Sequence, residues 1–190
     1  MNAAGLSGGF DSPAHQSARA FRALLEAVSR PGTIWQVAGA SPPDPLSVAQ
    51  GVAVLTLVDA TTPLHLAGAA DCTVVRDWVT FHTGAPLVGA EDAAFAVGSW
   101  AALQPVSRFA VGRPDYPDRS ATLIAEVDQL SPDGARLTGP GIRGAAFLSL
   151  PDIAVFQANR AQFPLGFDCV LTSGNRLAGL PRSTIIAEGC

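Results

Sequence analysis

The sequence predicts one α/β domain layered around a mixed sheet. Three features point to it. Short apolar strands alternate with amphipathic helices early in the chain, and two hairpin signals come late. Neither an internal repeat nor a linker divides the 190 residues. With 48% hydrophobic residues, the chain is long enough to fill one sizeable core.

The elements follow in order. Residues 1–11 read as a flexible, Gly-rich lead-in, and residues 12–190 as the domain. Asp11-Ser12-Pro13 starts a helix, with a capping side chain followed by Pro in the first turn. Over residues 13–29, Ala14, Ala18, Phe21, Leu25 and Val28 share one face, expected to be buried. Arg19, Arg22 and Glu26 lie on the other face, and Pro31-Gly32 stops the helix. Thr33–Val37 is β-branched and aromatic, hence a strand. Ser47–Leu57 is read as a buried helix, Leu64–Ala67 as a strand, and Asp71 as the cap of a helix reaching Phe81. Ala93–Val97 is a strand, followed by a short helix near Trp100–Leu103. Gly112, Pro114 and Pro117 then argue against regular structure.

Ser120–Leu130 alternates like a strand. The turn Ser131-Pro132-Asp133-Gly134 should fold Ala135–Thr138 back onto it. A last helix covers about residues 152–161, opened by Pro151. The closing hairpin pairs Phe167–Thr172 with Leu177–Leu180 through Ser173-Gly174-Asn175, and Pro181 ends it. It is too apolar to stand alone, so the preceding elements must cover it.

Composition excludes several functions. All twelve basic residues are Arg. Without Lys the chain forms no lysine Schiff base, holds no pyridoxal phosphate covalently and has no P-loop lysine. Any anion it binds meets Arg, backbone N–H groups or hydroxyls. The net charge of −4 provides no broad attraction to nucleic acid or to an anionic membrane, and no apolar run is long enough to span a bilayer. Cys72, Cys169 and Cys190 are odd in number and form no CxxC pattern, so a reducing cytoplasm is expected and a metal site is not. Only 15% of residues are charged, which fits either a surface covered by partners or an Ala- and Gly-rich composition.

A set of motifs then falls in a recognisable order: Phe21-Arg22…Leu24-Leu25…Ala27…Ser29…Pro31-Gly32, Leu55-Thr56-Leu57…Asp59…Thr61-Thr62-Pro63 and Phe81-His82-Thr83…Ala85-Pro86. Next come Leu137-Thr138-Gly139-Pro140-Gly141-Ile142, and Phe163-Pro164-Leu165-Gly166…Asp168 running through Leu180-Pro181-Arg182-Ser183-Thr184. Together they resemble the PhnH family, a subunit of the bacterial carbon–phosphorus lyase system, from about Ser12 to Cys190. Gly98–Arg119 is the least family-like stretch.

The resemblance implies a reduced pyridoxal-phosphate-dependent-transferase-like domain without its cofactor. It also implies a complex with PhnG, PhnI and PhnJ, and a homodimer. With PhnG, PhnI and PhnL, such a subunit would support displacement of adenine from ATP by methylphosphonate, giving ribose 1-methylphosphonate 5-triphosphate. The resemblance places the nucleosidase-like chemistry on PhnI and the radical iron–sulfur step on PhnJ, and carries no catalytic residue onto this chain. The other readings are a purely structural assembly subunit and an independent, Arg-lined enzyme that binds nucleotides or phosphonates.

The candidate residues are few. Arg182 follows a buried strand at its carboxyl end, where α/β sheets place ligand groups, and can fork onto a phosphonate or pair with a carboxylate. Asp168 interrupts the apolar strand and is read as a structural partner of Arg182. His82 and Thr83, at a helix end, can donate to an oxyanion or complete the last helical turn. Arg22 is a candidate anion contact or a solvated surface Arg, and Arg30 is explained by the helix dipole. Cys169 reads as a small core residue.

Overall fold

A computed structural model describes residues 6–189. Helix α1 (Pro13–Ser29) is followed by β1 (Trp35–Gln36), α2 (Val48–Leu57), β2 (Leu64–Leu66), α3 (Thr73–Thr83) and β3 (Phe95–Ser99). The hairpin β4 (Val111–Arg113) and β5 (Tyr116–Ser120) precedes β6 (Thr122–Glu126), β7 (Ala135–Thr138), β8 (Ala146–Leu148) and α4 (Ile153–Ala161). Strands β9 (Asp168–Ser173), β10 (Arg176–Leu180) and β11 (Ile185–Ala187) close the chain.

The main sheet has the order β1-β10-β9-β6-β3-β2. Strands β2, β3, β6 and β9 are parallel, β10 runs antiparallel to β9, and β1 runs antiparallel to β10, so the sheet is mixed as expected. Its central strands β3, β6, β9 and β10 are buried on both faces. Val97, Ile124, Val170 and Leu177 join a core with α1, α2 and α3. The alternate residues Ala96, Leu123, Ala125, Cys169, Leu171 and Ala178 join a second core with α4 and a three-stranded sheet of order β11-β7-β8. Gly174, at φ +61°, opens the two-residue β9–β10 turn.

Local chemistry accounts for the helix ends. Ser47 caps α2 through a reciprocal box with Gln50, whose side chain also donates to Gly98 O and Ile124 O. Asp152 accepts from the Val155 N–H to start α4. At α1 the cap runs the other way from expectation: Ser12 makes no side-chain cap, and its own N–H donates to Gln16 Oε1 at 2.6 Å. Cys72, not Asp71, occupies the cap position of α3, because the Asp71 carboxylate is taken by Arg76.

The structure corrects several other expectations. Helix α1 buries Ala20, Leu24 and Ala27, while Phe21, Leu25 and Val28 face outward. Gly179 on β10 is the reason. A Cβ at Gly179 would lie 2.6 Å from Val28 Cα and 2.7 Å from Ala27 C, so helix backbone rests directly on strand and the interface admits mostly small residues. Strand β7 does not pair with β6, which is enclosed between β3 and β9; it pairs with β8 and β11. Residues 111–120 form a hairpin despite Gly112, Pro114 and Pro117. Gly112 takes φ +84° against Pro117, and Pro117 lies at a register irregularity in a two-stranded edge. Residues 100–103 are turns rather than helix.

The lead-in is also held where it is described. Ser7 O accepts from Trp78 Nε1 at 3.0 Å, Gly8 O accepts from the Ser41 N–H at 2.8 Å, and Phe10 packs on the core. The expectation for residues 1–5 lies outside the described residues.

The close approach sets a test. Gly179→Ala forces α1 away from β10 and should destabilise the fold by about 1–3 kcal/mol in urea unfolding. An unchanged midpoint would show that the helix backbone does not need the missing side chain.

Candidate functional site

Strand β9 begins with Asp168, and β10 returns so that Leu180 lies opposite Cys169. Arg182 therefore arrives beside Asp168. The carboxylate accepts from the Arg182 backbone N–H at 2.9 Å, from Nε at 3.2 Å and from Nη2 at 2.5 Å. Nη1 donates to Pro117 O at 2.7 Å, tying the β4–β5 hairpin to the sheet. The Arg182 side chain is 13% exposed, so this fork is spent inside the protein. Because β10 is antiparallel, Arg182 also lies at the amino edge of β9, β6 and β3. It does not reach the carboxyl edge expected of a ligand group in an α/β sheet.

His82 and Thr83 end α3. The Thr83 hydroxyl donates to Val79 O at 2.8 Å and accepts from the Ala85 N–H at 3.1 Å, completing the last turn. His82 packs edge-on to Phe81, with ring centroids 4.9 Å apart, and near Trp78, at 5.2 Å. Its Nε2 is buried without a hydrogen-bond partner, and a Cβ on Gly9 would come within 2.5 Å of the ring. The N-terminal strap thus lies against the imidazole, whose residue is half-buried. Arg22 is exposed on α1 and shares a shallow surface with His15 and Arg19 that does not include Arg182. Arg30 pairs with Glu26 at 3.3 Å. The structure does not bring the candidates together into one site.

The amino edge carries an apolar cleft of about 240 Å³, walled by Phe21, Leu25, Val28, Leu57, Phe95 and Pro181. The carboxyl edge carries a polar cleft of about 410 Å³ beside Ser99, Trp100, Glu126 and Asp128. Glu126 ends β6. It accepts from Ser47 Oγ and Thr172 Oγ1, each at 2.6 Å, and from the Gly174 N–H at 2.9 Å. One carboxylate therefore joins the start of α2, strand β9 and the β9–β10 turn. Sequence reasoning passed over Glu126 by running the strand on to Leu130. The signal available was a lone acid closing the apolar run Leu123-Ile124-Ala125. Among the described residues, no group of three or more His, Cys, Asp or Glu side chains is placed to hold a metal ion.

Comparison with known proteins places this arrangement. The sequence model of the family described as "Bacterial phosphonate metabolism protein (PhnH)" matches residues 8–187. The chain belongs to the PhnH family.

It is 40% identical to the alpha-D-ribose 1-methylphosphonate 5-triphosphate synthase subunit PhnH of Rhizobium meliloti (strain 1021), over 94% of this chain and 94% of that protein. It is 30% identical to HtxG of Stutzerimonas stutzeri, a provisionally named C-P lyase subunit protein, over 93% of this chain and 88% of that one. In this PhnH-family chain the ordered motifs fall on structural joints. Asp168 and Arg182 clamp a hairpin, Thr83 finishes a helix, and Phe21 and Leu25 stand on an outward helix face.

Two expected outcomes follow from the clamp. Arg182→Ala leaves a half-buried Asp168 with one backbone donor and should cost about 2 kcal/mol in thermal unfolding, with Arg182→Lys recovering little because an ammonium cannot reproduce the fork. Cys169 is buried beside Asp168. Burial first, and the neighbouring carboxylate second, push its thiol well above the ordinary range. A raised thiol pKa keeps the group protonated through neutral pH, so iodoacetamide should leave Cys169 unlabelled in the native chain and label it after unfolding, as read by peptide mass spectrometry.

Proposed function

We propose that this chain is a subunit of the carbon–phosphorus lyase system that supports synthesis of ribose 1-methylphosphonate 5-triphosphate. In that synthesis methylphosphonate displaces adenine from ATP. The match at 40% identity across 94% of both chains carries this reading. The geometry agrees with a supporting role. The fork of Arg182 is occupied, His82 is packed against Gly9 with its Nε2 buried, and the cleft at the carboxyl edge presents Glu126 and Asp128, carboxylates that would repel a polyphosphate. These same observations weigh against the independent, Arg-lined enzyme.

The partners on this reading are PhnG-, PhnI-, PhnJ- and PhnL-like subunits, with bond-making on the sister chains. The single domain over residues 12–190 is read as a reduced transferase-like fold without pyridoxal phosphate, which the missing Lys supports. Its compartment is the cytoplasm. Among the described residues no helix is long and apolar enough to cross a membrane. Self-association into a homodimer belongs to the same reading. Phe147 lies opposite Arg136 on the three-stranded sheet and Ile185 lies in the neighbouring strand pair, both exposed and open to such a contact.

Purified alone, the chain should release no adenine from ATP and methylphosphonate, and release should appear when the sister subunits are added. Adenine release by the isolated chain at the rate of the complete set would overturn the reading. Light scattering should give twice the 19.5 kDa of one chain; a single-chain mass would remove the homodimer.

A further inference from the structure

Helix α1 presents an unusual surface for a chain of net charge −4. Phe21, Leu25 and Val28 follow one another at helical spacing and are 52%, 56% and 39% exposed. They border the apolar cleft at the amino edge, so the stripe continues into a groove rather than ending on the helix. Beside the stripe on the solvent side stand His15, Arg19 and Arg22. The only carboxylate on α1 is Glu26, and Arg30 already holds it at 3.3 Å. The exposed face is thus apolar along one line and cationic along the next, against the sign of the whole chain.

We infer that the Phe21–Leu25–Val28 stripe seats an amphipathic helix of a sister subunit, with apolar anchors for the groove and Asp or Glu opposite Arg19 and Arg22. The inference rests on the subunit reading above and names its docking face. Charge selects this occupant. A second copy of the chain would bring another cationic row to a cationic row and supply no free carboxylate from α1. An acidic helix satisfies both lines at once, since helix-in-groove binding reads apolar anchors every third or fourth residue.

Photo-crosslinking from α1 tests it. The chain carrying Leu25→p-benzoylphenylalanine is co-expressed with tagged PhnG-, PhnI- and PhnJ-like subunits, irradiated, and the linked peptide sequenced. The expected product joins Leu25's position to a sister-subunit helix with acidic residues beside its apolar positions. Arg19→Glu combined with Arg22→Glu should weaken co-purification by about tenfold or more while leaving the circular-dichroism melt unchanged. A crosslink to another copy of this chain, an assembled complex that gives no crosslink, or full retention of the charge-reversed variant overturns the inference while leaving the subunit reading intact. If the wild-type chain fails to co-purify with the sister subunits, the subunit reading and this inference fall together, and that control needs no α1 variant.

Discussion

The architecture of one face depends on a missing side chain at Gly179. The backbone of α1 lies on β10 there, with Val28 Cα where a Cβ would otherwise sit 2.6 Å away. A helix pressed that close to a strand presents small residues to it, and Ala20 and Ala27 occupy that side with Leu24. The rotation of the helix about its axis is then fixed. Phe21, Leu25 and Val28 have nowhere to go but outward, and the apolar cleft at the amino edge opens between them and Pro181. One contact between backbones thus decides both what the helix hides and what it displays.

The two ends of the sheet are closed by different chemistry. At the amino edge, the Asp168–Arg182 pair and Pro117 O hold the projecting β4–β5 hairpin. At the carboxyl edge, Glu126 gathers two hydroxyls and a backbone N–H around the start of α2, while buried Gln50 bridges Gly98 O and Ile124 O beneath it. Buried polar groups are costly unless bonded, and here they are bonded to the chain itself. Groups so engaged stabilise a frame; they are poorly placed to meet a substrate.

Much of this was legible in the residues, and the misses share a cause. Helices α1, α2 and α4 and the β9–β10 hairpin were readable because periodicity, Pro, Gly and the cap residues act locally. The buried face of α1 was misread because hydrophobicity ranks Phe21 and Leu25 above Ala20 and Ala27, and only the approach of β10 at Gly179 reverses the ranking. The partners of β7 were misread because a tight turn suggests the preceding strand, whereas β6 already has neighbours on both edges. Arg182 was placed at the wrong end of the sheet because strand direction is a property of the whole topology. Its proximity to Asp168, by contrast, follows from the hairpin register alone.

The absence of Lys sharpens what the remaining cations can do. Guanidinium groups stay charged and bind through a planar fork, so the useful question for each Arg is where its fork points. Arg182 forks onto Asp168, Arg76 and Arg30 each meet a carboxylate, Asp71 and Glu26, through Nε alone, and Arg108 donates to Ala102 O. Arg119 and Arg160 lie over the rings of Tyr116 and Phe163. Among the described residues Arg19 and Arg22 meet no carboxylate, carbonyl or ring of the chain, and both stand on one exposed helix beside an apolar stripe. Arg and large apolar side chains are both enriched at protein interfaces, where the anchor excludes water and the guanidinium then gains strength from the drier surroundings. The same Gly179 contact that turns the large apolar residues of α1 outward therefore sets them beside the cations best placed to choose a partner.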